Sequence, residues 1–291
     1  MLFKCIYNFC CEKRVSREEA PSQRHFKSPS DFLGAGLESP HASAPFELHY
    51  SSQPNPTEND MQNVPVLQLL LKDSPISSQE SEIKITPRGM EGSLRQRNDH
   101  CTYFGSVSRE DDQVVNDYVV QEDETMGRKH FVVIFKPEAN RYYVKDLGEG
   151  SGTFLSVEKC VVLKDSYLIS FSNTHMGVHL IEENGIALKF LEGPKKGQVF
   201  RFTKEFKSIQ IGRVGDCSIV FEGDNVSRYQ CRLAFEDNNW VLYDGNKEKK
   251  STNGTWIFAS EEMEIVESML IKAGKSIFEA KFVEGSKVCN D

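Results

Sequence analysis

From Val64 onward the chain repeats itself, and it does so in short β-prone runs rather than in helical periods. His130-Phe131-Val132-Val133-Ile134-Phe135 answers Gln230-Cys231-Arg232-Leu233-Ala234-Phe235. Successive side chains of a strand point to opposite sides, so Phe131, Val133 and Phe135, like Cys231, Leu233 and Phe235, are expected to share one buried face. The next run repeats as well: Tyr143-Val144-Lys145-Asp146 matches Val241-Leu242-Tyr243-Asp244, and Ser151-Gly152-Thr153-Phe154 matches Asn253-Gly254-Thr255-Trp256. Upstream, Phe104-Gly105 answers Ile211-Gly212. Runs of this length at roughly 8–12-residue spacing, broken by turn residues, predict an all-β chain of two tandem β-sandwiches. The expected boundaries are 63–183 and 184–285. The first copy carries a longer acidic loop, Glu110 through Glu124, which shapes and charges its loop end differently.

A chain of 291 residues suits two domains of about 100 residues and a tail. It contains no run of about 18 apolar residues able to span a bilayer. Its net charge of −8 argues against nucleic acid as a partner, because displacing counterions needs a broad positive face. The eight cysteines form no CxxC pair and no Cys/His ligand spacing, so no metal and no cofactor is expected. No secretory leader is legible, and the expected location is intracellular and cytoplasmic, with the nucleus left open.

Residues 1–62 are rich in Ser, Pro, His and Gln and are expected to be a mostly disordered tail. The tail opens on an apolar stretch that ends in Cys10-Cys11 and is followed by Lys13, Arg14 and Arg17. Two readings stand: an S-acylated membrane anchor at Cys10 and Cys11, or a frayed hydrophobic end packed on the domains. Contact with a membrane is expected only under the first.

In the second copy the landmarks read Ile211-Gly212-Arg213, Val226-Ser227-Arg228-Tyr229-Gln230 and Ser251-Thr252-Asn253-Gly254-Thr255-Trp256. A phosphate calls for guanidinium forks and for hydroxyl or backbone donors, and this set supplies them. In type and order the set resembles the forkhead-associated (FHA) family, with its Gly-Arg pair, Ser-Arg-x-His step and Asn-Gly-Thr turn. The resemblance implies a β-sandwich whose loops bind phosphothreonine peptides. It implies that Arg213 and Ser227 contact the phosphate, that Arg228 and Thr252 stand beside them, and that Asn253 holds the peptide backbone. Gly212 and Gly254 would be structural, as would Gln230, which replaces the family histidine with an amide able to donate and accept. The Lys247-Glu248-Lys249-Lys250 run is either a local source of positive potential or an ordinary solvated turn.

The first copy is degenerate by the same measure. Ser106 stands where Arg213 stands, Gly127 where Ser227 stands and Ser151 where Asn253 stands, while Arg128, His130, Gly152 and Thr153 are kept. It is expected to be structural or to make protein contacts. The Gly148–Gly152 stretch lacks the Gly-Lys-Ser/Thr ending of a phosphate loop, and His175 and His179 fall on a strand too far apart for a shared metal. No catalytic set can be assembled, so an enzyme is not expected. A phosphothreonine-dependent adaptor stands first, a phosphate-independent scaffold second and a cryptic enzyme a distant third. The expected partner is a phosphothreonine protein or peptide, with the chain's own Thr57, followed by Glu58, Asn59 and Asp60, as an internal candidate.

Overall fold

The computed structural model describes residues 64–73, 81–95, 99–120 and 123–283. The expected tail over 1–62, with Cys10, Cys11 and Thr57, lies outside the described residues. Among the described residues the chain is almost wholly β, interrupted by the short 3-10 turns Glu182–Asn184 and Lys204–Phe206. None of their helices is long and apolar enough to cross a membrane.

The compact units do not follow the order of the copies. Among the described residues one, the continuous unit, is Lys159–Ile257; the other, the split unit, joins those from 64 to 158 with those from 258 to 283. The expected boundaries at 63–183 and 184–285 are therefore corrected: each copy gives its last strands to the other's sandwich. The reason lies in one short connection. Strand Thr174–Ile181 passes into strand Gly185–Glu192 through Glu182–Asn184 alone. Three residues suffice for a tight turn between neighbouring antiparallel strands. The two pair as a hairpin from Ile181↔Gly185 to His175↔Glu192. The turn is tight enough to put Glu183 and Asn184 at φ 59° and 62°. A strand expected to close the first sandwich is thus held in the second.

In the continuous unit one sheet runs Val199–Phe202, Gly185–Glu192, Thr174–Ile181, Leu168–Phe171, Trp256–Phe258. The other runs Val161–Val162, Asn239–Asp244, Cys231–Glu236, Ser208–Gly212, Ile219–Val220. Apolar residues from both fill the core: Ile169, Phe171, Met176, Val178, Ile186, Leu188 and Phe190 from the first sheet, Ile209, Ile211, Leu233 and Leu242 from the second. Phe221 meets Phe171 edge-on at 5.5 Å between ring centroids and Phe190 at 5.6 Å.

The split unit repeats the plan. Strand Val66–Asp73 lies between Glu82–Thr86 and the C-terminal Ser276–Val283. Phe278 reaches the Phe104–Phe131 stack (4.3 Å) at 5.7 and 5.9 Å. A buried carboxylate ties the late strands to the early ones: Asp123 accepts from Lys275 N at 2.8 Å and Thr125 N at 3.0 Å, with Ser276 Oγ at 3.2 Å.

The expected alternation of buried residues holds only in part. Phe131 to Phe135 are buried at every position, because Cys101, Val132 and Ile134 form a second small core with Tyr103 and Leu147 on the outer side. Arg95 lies over the Tyr103 ring at 4.6 Å, bound to Asp117 and Asp99 at 2.9 and 2.7 Å. In the second copy Cys231 and Leu233 are buried, whereas Phe235 is half-exposed against Trp240.

Candidate functional site

Strand Ser208–Gly212 pairs with Cys231–Glu236 on one side and Ile219–Val220 on the other. Its end therefore meets the segment that leads into Cys231 and the turn that follows Asp244. Gly212 permits this meeting: a Cβ there would fall 2.1 Å from the Arg228 carbonyl oxygen. The next amide, Arg213 N, is shared between the Ser227 and Arg228 carbonyls, each at 3.1 Å. Ser227 Oγ accepts from Thr252 N at 2.9 Å, joining the second loop to the third. Arg213, Ser227, Arg228, Thr252 and Asn253 all line one groove, together with Tyr229, Asn246, Lys249 and Lys250.

Behind the groove sits Gln230, fully buried. Its Oε1 accepts from Ser227 N at 3.2 Å, and its Nε2 donates to the Gly254 carbonyl at 3.0 Å and to Thr255 Oγ1 at 3.2 Å. Its backbone carbonyl accepts from Gly245 N and Thr255 Oγ1. One amide thus bolts the groove-forming loops together, using both of its polar ends. Gly254 has φ 75°, the left-handed turn that glycine adopts without strain. The neighbouring Asn253 carbonyl is held by Trp256 Nε1 at 3.2 Å.

The split unit offers an internal comparison, position for position. Gly105 approaches the Arg128 carbonyl as Gly212 approaches that of Arg228, with a notional Cβ contact of 2.0 Å. Ser106 N donates to the Gly127 carbonyl at 2.9 Å, in the place of Arg213 N on Ser227. His130 Nδ1 accepts from Gly127 N at 2.8 Å, just as Gln230 Oε1 accepts from Ser227 N. Burial holds the His130 pKa below its ordinary value, which keeps the ring neutral and able to accept at that nitrogen. Here the corresponding loops pack directly on one another. Met126 bridges to Gly150, and Gly127 packs so tightly on Glu149 that a Cβ would lie 2.4 Å from the Glu149 Cβ. Glu149 Oε2 takes the Lys129 amide at 2.9 Å, and Glu110 pairs with Arg128 at 3.0 Å.

The sequence names Glu248 within its Lys247–Lys250 run but carries no signal for Asp224 or for the buttress behind it. Asp224 Oδ1 lies 3.1 Å from Arg213 Nη1, and Glu248 lies on the lining. Tyr229 OH donates to Asp216 at 2.8 Å, a bond that raises the phenol's pKa. Ser172 Oγ donates to the Asn225 carbonyl, so the turn between Leu168–Phe171 and Thr174–Ile181 supports the loop that carries Asp224. Only the exchange of strands brings Ser172 here, and no local motif signals it. The Lys247–Lys250 turn is organised by Asn246 Oδ1, which accepts from the Glu248 and Lys249 amides at 2.9 and 2.8 Å.

The FHA domain family matches the chain twice, over residues 102–172 and 209–277. No curated protein matches it. Both family matches run past the points where the chain crosses between units, at 158/159 and 257/258, so the repeat in sequence and the unit in space differ by their last strands. FHA domains are phosphopeptide-binding, protein-interaction modules that take phosphothreonine-containing proteins. With its two family matches and its two β-sandwiches, the chain is a tandem FHA-domain protein.

Proposed function

We propose that this protein is a phosphothreonine-peptide-binding adaptor whose reader is the groove of the continuous unit. The observation that carries the reading is the convergence of Arg213, Ser227, Arg228, Thr252 and Asn253 on that one groove, with Lys249 and Lys250 at its side. A phosphorylated threonine brings about −1.5 to −2 charges and three strong acceptor oxygens. Arg213 and Ser227 contact the phosphate, Arg228 and Thr252 flank it, and Asn253 holds the peptide backbone through its amide. Gly212, Gln230 and Gly254 hold the loops rather than the ligand. The role is that of a binder and not an enzyme, in the intracellular compartments where protein kinases make such ligands.

A second, phosphate-independent role fits the split unit. Gly127 packs against Glu149 and leaves no room for a side chain where Ser227 stands in the other copy, and Glu110 already pairs with Arg128. Calorimetry of the full chain against matched phosphothreonine, phosphoserine and unphosphorylated peptides tests the assignment. Binding should require the phosphothreonine and should vanish in Arg213→Ala. Affinity that survives removal of either the phosphate or Arg213 would leave the phosphate-independent scaffold as the better account. Phosphorylated Thr57 is an internal candidate ligand, and light scattering before and after its phosphorylation tests whether it joins chains.

A further inference from the structure

The guanidinium that the proposed function requires is already engaged. Arg213 Nη1 lies 3.1 Å from Asp224 Oδ1, on a side chain 94% exposed. We propose that Asp224 is an internal rival of the ligand phosphate at Arg213 and that, once displaced, it selects ligands with a basic residue beside the phosphothreonine. This rests on the reading of the groove given above.

Asp224 stands on the turn between the strand Ile219–Val220 and Ser227. The ends of that turn are fixed: Phe221 and Val226 are buried, and the Asn225 carbonyl is held by Ser172. Its middle is open. Gly223 has φ 93°, and a Cβ there would meet nothing within 4 Å. The carboxylate can therefore swing about a fixed base without disturbing the core. A carboxylate carries one charge and a phosphate close to two, so the phosphate wins the guanidinium when both compete. An exposed ion pair is weak, and Asp224 accordingly lowers affinity without blocking the site, by up to about fivefold. After displacement it remains on the groove's rim, and Glu248 also lines the groove. The rim then favours a lysine or arginine neighbour of the phosphothreonine and disfavours an acidic one.

The test uses the full chain and one phosphothreonine peptide made with Lys, Ala or Glu at each flanking position in turn. At low salt Asp224→Asn should bind the Ala peptides about two- to fivefold more tightly than the wild type. The wild type's preference for Lys over Glu, at the position where it is largest, should fall toward unity. In an Arg213→Lys background, which keeps a charge but loses the fork, the gain from Asp224→Asn should shrink. Asp224→Ser should act in the same direction as Asp224→Asn, which separates loss of the carboxylate from any contact made by the new amide. An unchanged thermal midpoint verifies the fold of each variant. If the wild type binds and neither Asp224 variant binds more tightly, or the Lys-over-Glu preference is absent or untouched, this inference is overturned and the groove assignment stands. If the wild type shows no phosphate-dependent binding, both fall together.

Discussion

The exchange of strands is open to a direct test with two fragments of equal standing by length, 159–260 and 184–285. The second is the domain expected from the repeat. It lacks Leu163, Tyr167, Leu168, Ile169, Phe171, Met176 and Val178, all of them buried in the continuous unit. At about 1.5–3 kcal/mol for each buried side chain, their removal forfeits about 10–20 kcal/mol of apolar burial. Such figures are upper bounds, since the unfolded chain already hides part of its surface. Even half of the lower value rivals the 5–15 kcal/mol that holds an ordinary domain together. Strand Gly185–Glu192 would also lose the ladder it shares with Thr174–Ile181. Fragment 159–260 should therefore give a cooperative thermal transition and dispersed amide resonances, while 184–285 should give neither and should bind a hydrophobic dye. The rival outcome is that strands 258–283 fold back into the vacated place. A cooperative melt for 184–285, with a peptide affinity equal to that of the full chain, would refute the reasoning.

Other expectations follow from single residues. Gln230→Ala leaves the partly buried Ser227 amide and Gly254 carbonyl without their partner and should cost about 1–3 kcal/mol in urea unfolding, with peptide affinity falling alongside. Gln230→His should recover most of both, because His130 makes the corresponding bond to Gly127 N. Gly127→Ser should destabilise the split unit by about 1–3 kcal/mol, the usual cost of overpacking, because its Cβ would collide with Glu149; a neutral effect on the thermal midpoint would contradict the packing. At Asp123 burial pushes the carboxyl pKa up, but bonds from Thr125, Lys275 and Ser276 outweigh it and hold the group below its ordinary value. Its stabilisation is therefore complete above an unfolded pKa of about 3.9 and is lost as pH falls through the lower folded value. The stability gap between wild type and Asp123→Asn should narrow below about pH 4 in urea titrations, and a gap independent of pH would be evidence against the assignment.

The β-sandwich class and the groove donors were legible because they are written locally. Gly212-Arg213, Ser227-Arg228 and Asn253-Gly254-Thr255 each form within a few residues of turn, and the strands between them have fixed lengths. The substitution of Gln230 for a histidine was also legible, since an amide carries the same donor and acceptor pair across a similar span. What the repeat hid was the partnership of strands. Thr174–Ile181 has the same composition whichever sandwich it closes, and its hairpin pairing with Gly185–Glu192 is not written in the repeat. Asp224 was hidden for a different reason: a carboxylate on a polar loop looks solvated until the fold sets it against Arg213.

The crossing of the chain also orders events during synthesis. Every strand of the continuous unit exists once Ile257 has cleared the ribosome, while the split unit must wait for the strand Ser276–Val283. Chains emerge at about 5–20 residues per second, so the half made first stays incomplete for seconds after the other can close. Through that interval Val66–Asp73 has an open edge where Ser276–Val283 will pair, and the Phe104–Phe131 stack lacks Phe278. Of the two sandwiches, the one whose strands are made first is the last to be finished, and its unpaired edge is where a nascent chain of this design is most exposed to chaperones and to neighbouring chains.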